Sequence, residues 1–133
     1  MWRSFPGPDR TTFERLARGA IAGMPDKFRV HLAEVVIEVR EFASAQVLAS
    51  LGIESRWDLT GLYEGRPLTE RSIWESGEMP PMISLFRQPL LAEMHETGVE
   101  LEDLVRHVVI HEAGHHFGFS DDDMHWLEDQ ADR

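Results

Sequence analysis

The sequence predicts an α+β fold. Apolar residues recur at helical spacing in several segments, and two short runs have strand character. The last long helical segment is apolar on nearly every side, and it carries His111-Glu112-Ala113-Gly114-His115. A helix apolar all round is a buried helix.

The first element is an amphipathic helix. Phe13, Leu16, Ala17, Ala20, Ile21 and Met24 fall on one face, Thr11 with Glu14 fits a capping box, and Gly23 and Pro25 stop it. Phe28 and Leu32 suggest a short helical turn. Residues 33–40 read as a strand with Val35, Ile37 and Val39 on one face, and Val36 breaks the alternation. Residues 44–51 read as a short helix, capped by Ser44 and closed by Gly52.

From 53 to 81 the pattern weakens into turn residues, with 61–68 reading as a hairpin or structured loop. Trp57 and Trp74 read as packing residues beneath it. Residues 82–86 form a second strand, apolar at nearly every position. Pro89 sits in the first turn of the next helix, which ends at Thr97-Gly98.

The motif helix runs from about 99 to 117. Leu101, Leu104, Val105 and Val108 form a stripe that His111, Glu112 and His115 extend, so the motif histidines are expected to point into the protein. Residues four apart on a helix are about 5–6 Å apart at Cβ, so His111 and His115 can bind one zinc ion. Glu112 lies slightly around the helix, within reach of a metal-bound water without being a ligand. Gly118 suits the left-handed residue that ends a helix, so the chain can turn and bring Asp121 back as a third ligand. His125 is the alternative third ligand. The acidic run at 121–123 also fits the first turn of a helix capped by Ser120, without any metal. His107 is too far along the helix to share the ion, His116 points off the motif face, and His31 and His95 read as surface residues.

The 133 residues carry a net charge of −11, which argues against a nucleic-acid partner. Residues 1–133 are expected to form a single domain, with 1–10 and 129–133 as flexible ends. No stretch has the length and apolarity of a membrane helix or a signal peptide, so the reading is a cytoplasmic protein with no membrane partner, taken as a monomer. There is no cysteine, so any zinc is held by His and carboxylate, the ligand set typical of catalytic sites.

His111-Glu112-x-x-His115-His116-Phe117-Gly118-x-x-Asp121 resembles the motif of the minimal zincins, the small bacterial zincin-like metallopeptidases. Gly61-Leu62-Tyr63-Glu64-Gly65-x-Pro67-Leu68 and Thr69-Glu70-Arg71-Ser72 are similar to that family too, as is the order of elements from Thr12 to Leu127. The resemblance implies a small zincin-like fold, in which a short mixed sheet packs against the motif helix with flanking helices. It implies Zn2+ at His111, His115 and Asp121. The extended motif is similar to that of the metzincins, with Asp in place of the usual third His. Met124 follows Asp121 too closely for the Met-turn of larger zincins.

The expected function is a zinc-dependent metallopeptidase, a hydrolase acting on a peptide or protein substrate with Glu112 as general base. An extended substrate is expected to pair with strand 82–86, and Tyr63 is an oxyanion-donor candidate of second rank. The alternative is a non-catalytic zincin-like binding or adaptor protein with structural or absent zinc. An RNA hydrolase with a three-His motif fits less well, because Glu112 follows the first His and the charge is acidic.

Overall fold

The computed structural model describes residues 7–65 and 80–118. Among them are five α-helices and a three-stranded mixed sheet. Helix α1 (Arg10–Ala22) buries Phe13, Ala17, Ala20 and Ile21. Full burial of a residue such as Phe13 contributes about 1.5–3 kcal/mol. The helix is capped two residues earlier than the Thr11–Glu14 box predicts. Asp9 is the N-cap, and its carboxylate accepts from the Thr12 N–H and hydroxyl, both at 2.9 Å. Those bonds favour the ionised form and hold the Asp9 carboxyl below its ordinary range. Of the stretch 1–10 expected to be loose, residues 1–6 lie outside the described residues, while Pro8 accepts a hydrogen bond from Arg87.

A short helix α2 (Asp26–Arg29) and a 3-10 turn (Val30–Leu32) lead to strand β1 (Val36–Arg40). Val35 and Val39 are buried and Ile37 packs against the same core, as their alternation predicts. Val36, which breaks the alternation, is exposed. Helix α3 (Ala45–Leu51) is capped by the Ser44 hydroxyl and closed by Gly52 at φ 69°, both as expected. A 3-10 turn (Arg56–Asp58) places Trp57 edge-on to Phe42, 4.8 Å between ring centroids. Trp74 lies outside the described residues.

Strand β2 (Gly61–Glu64) pairs antiparallel with β3 (Met82–Phe86), and β1 pairs parallel with β3 on its other side. The order β1-β3-β2 makes β3 the central strand. This explains its near-continuous apolarity, since a central strand can be covered on both faces. It also corrects the expected docking of a peptide along 82–86, because both edges of β3 are already hydrogen-bonded.

Helix α4 (Arg87–Thr97) starts directly after β3 and ends at Gly98, φ 74°. No side chain of its own caps its N-terminus. Glu41, just beyond β1, holds that end instead: its carbonyl accepts from the Gln88 N–H, and its carboxylate accepts from Gln88 Nε2 and Arg87 Nε.

Helix α5 (Leu101–Phe117) carries the motif. It packs with α1 on one face of the sheet, in a core that includes Phe13, Val39, Ile83, Leu85, Val105 and Val109. Phe86, Ala43 and Leu48 form a smaller cluster with Leu62 packed against it. Successive strand side chains point to opposite faces. With Leu62 in the smaller cluster, Gly61 and Tyr63 therefore face α5. No helix among the described residues is long and apolar enough to cross a membrane.

The contact between β2 and α5 is closer than a side chain permits. A Cβ on Gly61 would lie 2.3 Å from Val108 Cγ1, 3.3 Å from the Ser84 carbonyl oxygen and 3.8 Å from Glu112 Cγ. Gly61→Ala is therefore expected to destabilise the protein by about 1–3 kcal/mol, read by urea denaturation. Adding Val108→Ala should recover part of that loss relative to the sum of the two single effects. Strictly additive losses would show that Val108 is not the obstructing group.

Candidate metal centre

The motif lies in the last two turns of α5, which Gly118 ends in the left-handed conformation at φ 70°. The Gly118 N–H donates to the His115 carbonyl at 3.0 Å, closing the helix as the sequence predicts. The structure brings His111, Glu112 and His115 together: one ligand-capable atom from each lies within 4.8 Å of the others. The two imidazoles meet at a steep angle, 81° between planes and 5.3 Å between centroids. Asp121 and His125 lie outside the described residues.

The burial of the motif differs from expectation. His111 and Glu112 are half-buried and His115 is exposed, so the group sits at the protein's rim and not in its core. Val108 and Ala113 beside them are buried. The apolar surroundings of the helix are real, but its polar face turns outward at the motif. His107 is also exposed, and its ring stacks over that of His111 at 6.5 Å, one turn earlier. It is not part of the His111–Glu112–His115 group.

The Glu112 carboxylate is held from the sheet. Its Oε1 accepts from the Tyr63 N–H at 2.9 Å. The Thr60 carbonyl accepts from the Phe86 N–H, so it faces β3. Backbone groups alternate direction along a strand, so the Tyr63 amide points the opposite way, off the edge of the sheet. Glu112 meets it there.

The buried histidine of the helix is His116, fully inaccessible. The sequence places His116 off the motif face, and there it enters the core. Its Nδ1 lies 2.7 Å from Tyr63 Oη, and its Nε2 lies 3.2 Å from the His31 carbonyl and 3.5 Å from a Glu34 carboxylate oxygen. A signal for its burial was present, because His116 continues the Val105–Val109 stripe by two further turns. Its partners could not be read from that spacing. Tyr63, ranked as an oxyanion donor, has its hydroxyl on His116. His31 and His95 are exposed, as expected.

The donor set fits zinc. Two imidazole nitrogens one helical turn apart, with no cysteine in the chain, are nitrogen ligands that this ion accepts at tetrahedral sites, and the Glu112 carboxylate beside them is close enough to reach a metal-bound water. A family model for the zincin-like metallopeptidases matches residues 32–131. The chain belongs to this family. The match covers the sheet, the motif helix and the segment beyond it that contains Asp121. Comparison with curated proteins found no match.

The geometry generates a ligand test. Elemental analysis of the wild type is expected to give about one zinc per chain, and His111→Ala and His115→Ala are each expected to remove it. His107→Ala should leave it in place. Equal loss in all three variants would move the ion up the helix, toward His107.

Proposed function

We propose that this zincin-like protein is a zinc-dependent metallopeptidase, with His111, His115 and Asp121 as ligands and Glu112 as general base. The observation that carries the reading is the His111–Glu112–His115 group at an accessible rim, with the carboxylate held by the Tyr63 amide. A purely structural zinc site has no use for a base beside its ligands.

Zinc, when bound, would lower the pKa of water toward about 7 and polarise the scissile carbonyl. Glu112 takes the proton of the attacking water and later delivers it to the leaving amine. Its Oε1 is anchored to the Tyr63 N–H, which leaves Oε2 as the oxygen better placed for that transfer. His115, the exposed ligand, lies where a substrate can approach. Strand β2 replaces 82–86 as the strand near which an extended peptide would lie, since β3 is central and β2 adjoins Glu112, with the Tyr63 N–H itself committed to Glu112 and not to the peptide.

Glu112→Gln is expected to keep its zinc and to lose about 10²- to 10⁴-fold in kcat against a cleaved library peptide. Turnover at the wild-type level in that variant would remove Glu112 from its role. Asp121→Ala is expected to weaken zinc at least about tenfold, measured by competition with a chelator. Unchanged affinity would pass the third position to His125 or water. A zinc-loaded wild type that cleaves nothing in a broad library would favour the non-catalytic binding protein.

A further inference from the structure

His116 and Glu112 lie one turn apart on α5 and contact the same residue of β2 at its two ends. Glu112 Oε1 accepts from the Tyr63 amide, while the His116 ring meets the Tyr63 hydroxyl. The roles at the ring follow from its partners. A backbone carbonyl only accepts, so Nε2, facing the His31 oxygen, carries the hydrogen. The Glu34 carboxylate on the same nitrogen agrees with that. With the Nε2 hydrogen on that side, Nδ1 is the ring atom that meets the Tyr63 hydroxyl, at 2.7 Å.

The chain also leaves room for the hydroxyl at Gly65. A Cβ on Gly65, whose φ is 145°, would sit 3.0 Å from Tyr63 Oη and 3.1 Å from Pro81. The hydroxyl thus has a fully buried partner in His116 and lies where a side chain at position 65 would crowd it.

We propose that His116 is a positioning residue: through the Tyr63 hydroxyl it fixes the Tyr63 backbone, whose amide in turn sets the orientation of the Glu112 carboxylate. The proposed coupling runs from the His116 ring through the Tyr63 hydroxyl. This deepens the peptidase reading and rests on it for the catalytic part, but the coupling from His116 to the Tyr63 amide is a property of the protein itself.

The test combines nuclear magnetic resonance and kinetics on the zinc-loaded full chain. The Tyr63 amide proton, bonded to a carboxylate, is expected well downfield and protected from exchange, and Glu112→Gln should move it upfield. Tyr63→Phe, which removes only the hydroxyl, and His116→Phe, which replaces the ring at similar size, should each shift this resonance in the same direction and raise its exchange rate about tenfold or more. Each should lower kcat about tenfold with KM changed less than about twofold and zinc stoichiometry unchanged. The double variant should be no worse than the more affected single, because both cut one linkage.

If His116→Phe fails to fold, Tyr63→Phe decides alone, since its ring and backbone are retained. A Tyr63 amide that keeps its shift and exchange rate in the variants, with only thermal stability lowered, would overturn the proposal and leave His116 a core residue. Amide changes as expected in a wild type that hydrolyses no peptide would uphold the linkage and sink the peptidase reading instead.

Discussion

The candidate site depends on how closely strand β2 lies on helix α5. Side chains normally keep a strand and a helix well apart, and here Gly61 removes that spacer opposite Val108. The strand backbone then comes within hydrogen-bond range of a helical side chain, and Glu112 takes the Tyr63 amide. A longer separation would leave that amide at the sheet edge to water and the carboxylate without an anchor. Packing at one glycine thus sets the position of a group two residues further along the strand.

The same helix serves two environments within little more than one turn. His116 is sealed in the core and has acceptors and donors at both ring nitrogens, as a buried polar group requires. His115, its neighbour in sequence, is exposed, and His111 and Glu112 lie between these extremes. Consecutive helical residues point about 100° apart, so one can be committed to the fold while the next meets solvent. The proposed hydrolytic role needs this combination: candidate ligands open to solvent, on a helix whose other face is fixed against Phe13 and Ile83.

Much of the chain was legible from local pattern. The apolar stripe of α1, the Ser44 and Gly52 ends of α3, the Gly98 stop of α4 and the Gly118 stop of α5 all depend on contacts within four or five residues. The pairing of His111 with His115 is of the same kind. The Thr11 box failed because Asp9 competes for the same role with a better acceptor two residues earlier. The inward aim of the motif failed because helical periodicity gives relative direction, and the neighbours that cover or expose a face come from elsewhere.

The sequence by itself determined an α+β chain and a helix presenting two imidazoles and a carboxylate at metal-binding spacing, because those features are written in residues close along the chain. Only the tertiary structure decided that β3 is central, that the motif lies at the rim, and that His116 joins Tyr63 to the His31 carbonyl. Those contacts span 53 and 85 residues. Nothing in a local pattern specifies which distant groups will meet; the packing of the whole core selects them.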